Sequence, residues 1–261
     1  MRMACRVALM VSACSVALGL VGCSGSIDKL PQATQTTAAR AASASTSPTA
    51  EVRLTTATFV QAVTKAMSTT GAVRTTLLLH VGGQTVTTSG LARFGDRPAM
   101  SVEMKGPAFH GTARLILVNG VLYVSVPGHV PVGKYLKIKA GDTSPMANSF
   151  RQTLDSMDPK KTFAALGAGL RAVTYVGSER KSGETLVHYK LLVDTKSIMA
   201  AQGQQMVDGL PQTIAYNVWL DSTRLMRKVT FNFAGVDALL STSRYAGVVN
   251  IKAPSRNNVV N

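Results

Sequence analysis

The chain of 261 residues is 46% hydrophobic but only 5% aromatic, and it carries 28 Lys and Arg against 13 Asp and Glu, a formal net charge of +15. That apolar content excludes a disordered polyelectrolyte, and the length permits one large domain or two small ones with a real core. Its three cysteines, Cys5, Cys14 and Cys23, all fall within the first 23 residues, which removes disulfides and thiolate metal sites from everything downstream.

Arg2 and Arg6 give a positive start, and residues 7–20, VALMVSACSVALGL, run without a charge. This is the layout of an export signal, too short for a transmembrane helix of about 20 residues. Leu20-Val21-Gly22-Cys23 then matches the lipobox of bacterial lipoproteins, in which the thiol is acylated and the chain is cut on its amino side. The chemistry needs a thiol as acyl acceptor and a small residue before it, so that a peptidase reaches the scissile bond. Residues 1–22 are expected as a lipoprotein signal peptide, with Cys23 as the lipidation site. Two or three acyl chains, at about 0.8 kcal/mol per buried methylene, make a stable anchor where one would be marginal. The expected location is the extracytoplasmic (periplasmic) face of the cell membrane.

Residues 23–52 follow as a lipidated tether. From Ser24 onward they are mostly Ser, Thr, Ala, Gln and Pro, too poor in large apolar side chains to offset the entropy of ordering. A flexible segment of about 29 residues spans roughly 30 Å, enough to hold a domain clear of the headgroups. The basic surplus favours anionic partners such as acidic lipid headgroups or cell-wall polymers. Nucleic acid is not expected, because DPKK (158–161), SERK (178–181) and RLMRK (224–228) are far apart and lack interleaved aromatics.

The domain, residues 53–261, opens with a helix. Thr55 or Thr56 caps it, Phe59, Val60, Val63, Ala66 and Met67 form one apolar stripe, and Gly71 ends it. Strands follow over 72–81, 84–94 and 99–105, then ARLILVNGVLYVSV (113–126), whose Asn119-Gly120 is the signature of a type I′ hairpin. The period changes over 144–157, where Met146, Phe150, Leu154 and Met157 are spaced as on a helix. Asp158 caps a second helix with Pro159 at its first position. Strands resume over 171–180, 184–195, 212–222, 224–235 and 238–251, with a short helix or loop at 197–210. The pattern predicts an α+β domain, a sheet of about ten antiparallel strands with helices on one side.

A two-residue turn fixes register, so the hairpin faces are legible. One face carries Ala113, Leu115, Leu117, Leu122, Val124 and Val126, wholly apolar; the other carries Arg114, Ile116, Val118, Val121, Tyr123 and Ser125. Later, Val187, Tyr189, Leu191 and Val193 share a face, as do Ile214, Tyr216, Val218 and Leu220. Leu225, Val229, Phe231 and Phe233 are expected to share one with Arg227. These stripes are either core under helices or the lining of a cavity. With few aromatics, helices rich in Ala, Thr and Met leave volume above so large a face. The candidate lining is Leu115, Leu117, Leu122, Val124, Val126, Tyr189, Leu191, Tyr216, Val218 and Phe231.

Catalytic patterns fail. GHVPVGKY (128–135) fits G-x-x-x-x-G-K, but Tyr135 stands where a phosphate loop needs Ser or Thr, and YLKIK alternates like a strand. Ser178 and Lys181 fit Ser-x-x-Lys inside an expected hairpin, and His80, His110, His129 and His188 have no metal spacing. No enzyme activity, cofactor or metal is expected.

The lipobox, the tether, the helix of pattern F-x-x-A-V-x-x-A (59–66) and NGVLYVS (119–125) resemble the mycobacterial LppX/LprAFG lipoproteins. So do GETLVHYKLLVDT (183–195), YNVWLDSTRLMRKVTF (216–231) and VVNIKAP (248–254), over roughly residues 54–254. The resemblance implies a curved antiparallel half-barrel like that of the lipoprotein-localisation factors, with helices over the concave face and an apolar cavity between. It also implies carriage of acylated lipids or glycolipids across the cell envelope. The partners expected are that lipid, the inner-membrane surface through lipidated Cys23, and a lipid exporter. The competing reading is an envelope lipoprotein with a filled core that binds an anionic cell-wall polymer or a protein. Cys23→Ala is expected to abolish fatty-acid labelling and to release the chain from membranes or leave it unprocessed; a variant that still takes up a fatty-acid probe would contradict the lipobox reading.

Overall fold

The computed structural model describes residues 53–94, 97–139, 141–142, 159–181, 183–206, 209–233, 235–245 and 247–260. The expected signal peptide, Cys23, the tether, the helical spacing over 144–157 and the Asp158 cap lie outside the described residues.

Helix α1 (Phe59–Thr70) buries Phe59, Val63 and Ala66 along the expected stripe, and Gly71 stops it at φ +77°, a conformation that strains any side chain. Its start differs from the expected cap. The Thr55 carbonyl accepts from the Thr58 and Phe59 amides at 3.1 and 2.9 Å, and the Thr58 hydroxyl accepts from the Thr55 amide at 3.0 Å. A tight turn over 55–58 thus replaces a Thr55 or Thr56 side-chain cap.

The chain then runs β1 (Ala72–Val81), β2 (Gln84–Arg93), β3 (Ala99–Gly106), β4 (Gly111–Val118), β5 (Val121–Ser125) and β6 (Tyr135–Lys139), one antiparallel meander. Helix α2 (Pro159–Gly169) leads to a second meander of β7 (Leu170–Lys181), β8 (Glu184–Asp194), β9 (Thr213–Leu220), β10 (Met226–Phe233) and β11 (Val236–Arg244), with α3 (Thr195–Ala201) between β8 and β9. β11 pairs with β1, and the two-residue β12 (Val259–Val260) pairs parallel with β6. The outcome is one open, curved sheet in the order β12-β6-β5-β4-β3-β2-β1-β11-β10-β9-β8-β7. The short strands β6 and β12 take the count past the ten expected. Gly128 and Gly133, both at positive φ, sit in turns that lead into β6, as the failed phosphate-loop pattern requires.

Asn119 (φ +52°) and Gly120 (φ +71°) make the expected hairpin turn, with Val118 opposite Val121 and Leu115 opposite Val124. Both sides of this hairpin are apolar near the turn because both are covered. The second side, with Ala99, Val118 and Tyr123, packs against Val249, Ile251 and Val259 of the C-terminal segment. That segment leaves the sheet after Arg244, so the strand expected over 238–251 ends early. β10 departs from alternation too. A bulge at Arg227 puts Met226 opposite Leu220 and Lys228 opposite Trp219, so Met226, not Leu225 or Arg227, joins Val229 and Phe231 on the apolar face. On the outer face Trp219 stacks on His188 with centroids 4.2 Å apart, Lys228 Nζ lies 4.2 Å from the indole centroid, and the ring is only 9% exposed.

Helices α1, α2 and α3 pack over β8 and its neighbours through Phe59, Val63, Phe163, Leu166 and Ile198. Gly169 permits the closest approach: a Cβ there would lie 2.5 Å from Ile198 Cγ1 and 2.9 Å from the Asp194 carbonyl. The Asp194 side chain caps α3 by accepting from the Ser197 amide at 2.7 Å. No helix among the described residues is long and apolar enough to cross a membrane.

One buried charge organises the β9–β10 turn. The Asp221 carboxylate, 6% exposed, accepts from Thr223 N (2.8 Å), Thr223 Oγ1 (2.6 Å) and Leu225 N (3.1 Å), with Arg227 and Arg244 nitrogens each at 3.4 Å. Burial works against the charge, but the Thr223 and Leu225 hydrogen bonds and Arg244 outweigh it and hold the carboxyl below the usual range. Because the folded value is depressed, the stabilisation is complete above the unfolded pKa of about 3.9 and is lost as pH falls through the folded value. Asp221→Asn should therefore cost about 1–3 kcal/mol at neutral pH. Thermal melts of both proteins should converge in acid, and a gap that stays constant to low pH would show that the charge contributes nothing.

Candidate functional site

The ten residues proposed from sequence all lie on one face of the sheet but fall into two clusters. Leu115, Leu122, Val124 and Val126 belong to a cluster over β3–β6, built with Val102, Met104, Phe109 and Ile138, and Leu117 packs at its margin. Tyr189, Leu191, Tyr216, Val218 and Phe231 belong to the helix-covered cluster over β8–β11 and β1. Val86 packs against both, which places the two on the same, concave side.

Nine of the ten are buried. Leu122 has no exposed surface and Val124 1%, so no water-sized gap adjoins either side chain. These residues form packed walls. Accessible surface on the concave face occurs between the walls instead. Leu117 pairs with Met100, Met100 with Ala92, and Gly90, two residues before Ala92, pairs with Thr75. Thr75 in turn lies diagonal to Leu240 across the β1–β11 ladder. All six are partly exposed, and together they trace a diagonal strip across β4, β3, β2, β1 and β11.

The strip differs from the clusters beside it in side-chain size. It carries Thr75, Gly90 and Ala92, which raise almost nothing above the backbone, while the clusters on either side are built of Leu, Met, Phe and Tyr. Gly90 is required by packing as well: a Cβ would lie 3.0 Å from the Ser101 carbonyl and 3.1 Å from Val102 Cγ2. Of the residues proposed from sequence, Leu117 belongs to this partly exposed strip, and the other nine are buried. The signal that marks the rest of the strip is TTSGLA (87–92), a run of small residues at concave positions where neighbouring strands carry bulk.

At the strand ends beside Met100, Arg244 lies opposite Val73 on the concave face but is held by Asp221 and Thr223, whereas Arg93, opposite Ala99, is on the outer face and its Nε donates to the Arg97 carbonyl at 3.0 Å. The described residues do not include three or more His, Cys, Asp or Glu placed to hold a metal. The histidines are occupied or peripheral: His80 hydrogen-bonds Thr85, His188 hydrogen-bonds Asn217 at 3.1 Å and stacks on Trp219, and His110 and His129 are exposed.

An open, curved sheet with an apolar inner face partly closed by helices defines a half-barrel. Among solved structures the chain is similar to LprF from Mycobacterium bovis, with a TM-score of 0.53 and 11% identity over 76% of this chain and 96% of that one. It is likewise similar to the lipoprotein LppX from Mycobacterium tuberculosis, with a TM-score of 0.51 and 11% identity over 76% and 98%. The fold is therefore the one that the sequence resemblance implied. No protein-family model matches the chain, and no curated protein sequence does.

The walls and the strip respond differently to added volume. Val124→Trp forces a large ring into a packed wall and should cost roughly 1–3 kcal/mol or more. Ala92→Trp projects from the strip and should leave the melting temperature within a few degrees of wild type. Equal destabilisation by both variants would show that the strip is as tightly filled as the clusters beside it.

Proposed function

We propose that the protein is a lipoprotein anchored through acylated Cys23 to the outer face of the inner membrane. It holds an acylated lipid or glycolipid in a groove along the concave strip and carries it across the cell envelope, receiving it from a lipid exporter. The observation that supports this reading is a partly accessible strip of small residues between two apolar clusters on the concave face. The energetics require such a shelter. Drawing one sixteen-carbon chain out of a bilayer exposes methylenes worth about 12 kcal/mol, and only a protected apolar surface makes passage through water feasible. The function needs binding and release but no bond chemistry, so no catalytic role is assigned to any residue.

The likeness to LprF and LppX supports the fold of such a carrier. A second reading draws on the packed state of Leu115, Leu122, Val124 and their counterparts across the groove. On that reading the core is filled, and the basic surface binds an anionic cell-wall polymer or a protein partner.

Mass spectrometry of an organic extract of the full-length protein separates the two. A carrier should release a non-covalent lipid in stoichiometric amount, the covalent acyl chains on Cys23 staying with the protein, and Ala92→Trp should reduce that amount severalfold without unfolding the protein. A filled core should release none, while the protein adheres to anionic polymer in a salt-sensitive way.

A further inference from the structure

Among the described residues, three buried side-chain groups have no hydrogen-bond partner and no other recorded contact of that kind: Thr195 Oγ1, Tyr216 Oη and Trp219 Nε1. Thr195 opens α3, and Trp219 faces outward under His188. Only Tyr216 lies in the apolar cluster between the helices and the sheet. It is 1% exposed, and its ring lies 5.0 Å from that of Phe231. Its diagonal neighbour on β8 behaves otherwise: Tyr189 Oη accepts from the Leu54 amide at 3.1 Å, where the chain enters the domain. Burial also raises the Tyr216 phenol above its ordinary pKa, so it remains a neutral donor across the physiological range.

A buried hydroxyl without an acceptor is costly, and phenylalanine would fill the same space without that cost. Resting on the lipid-carrier reading above, we propose that Tyr216 Oη is the polar anchor of the lipid site and donates to the ester carbonyl of a bound acyl chain. Stoichiometry selects this ligand group. The site offers one donor in apolar surroundings, and an ester carbonyl is one strong acceptor, with no donor of its own, in a chain that is otherwise methylene. A phosphate would enter this cluster without a cation, and a sugar would leave several hydroxyls unpaired there, so neither suits this site. Since the hydroxyl is sealed in the unliganded protein, the acyl chain must part the wall around Phe231 as it enters from the groove.

The test compares full-length wild type and Tyr216→Phe in dodecyl maltoside micelles, with dipalmitoyl phosphatidylglycerol and its di-O-hexadecyl ether analogue as probes. Wild type should hold the ester lipid roughly tenfold more tightly than the ether, the factor that one neutral hydrogen bond supplies. Tyr216→Phe should lose that preference while binding the ether as wild type does, with a melting temperature unchanged or raised. With the ester carbonyls labelled by carbon-13, a hydrogen-bonded infrared component should be present in wild type and absent in the variant. Equal binding of ester and ether by wild type, or a variant that melts early or fails to fold, overturns the assignment of Tyr216. Retention of neither lipid by wild type overturns the carrier reading, and this assignment with it.

Discussion

Residues Val73 to Val81 pair antiparallel with Val236 to Arg244, from the far end of the domain. Each meander can form from its own local hairpins, but alone it would leave a long unpaired edge and half a concave face. Joining them requires closing most of the chain into a loop, a large entropic cost met only once both halves are built. The ladder supplies continuous backbone bonding across the seam, and with it one sheet curved around a single interior.

The side chains at that seam decide what the interior can do. Where Thr75 meets Gly90 and Thr242, the concave surface drops to little more than backbone, and the bulk resumes only at the two flanking clusters. Had this position carried leucine or phenylalanine, the clusters would merge into one filled core. Small residues thus lie at the junction of two halves, each of which packs well by itself.

Much of this was legible in the sequence. Asn119-Gly120 fixes the hairpin register because only a two-residue turn with both residues at positive φ matches strand twist, and every pair in β4–β5 follows from it. Alternation in β8 and β9 places Tyr189 and Tyr216 on the inner face for the same geometric reason. What the pattern could not supply was long-range pairing. The C-terminal segment lying on the outer face of β3–β5 and the meeting of Thr75 with Thr242 depend on strands remote in sequence, while the bulge at Arg227 breaks strict alternation inside the β9–β10 hairpin. Hydrophobic periodicity selects bulky positions, and bulky positions are the ones that pack. A binding groove is marked by what is missing from a face, which becomes visible only when strand order is known.

The most direct test of the groove as a lipid site is methyl NMR of the protein with a spin-labelled stearate. Paramagnetic broadening should appear first at Ala92, Met100, Leu117 and Leu240, with the outer-face methyls of Val249 and Ile251 unaffected. Broadening confined to the outer face, or none at concentrations that saturate binding to lipid carriers, would contradict the account.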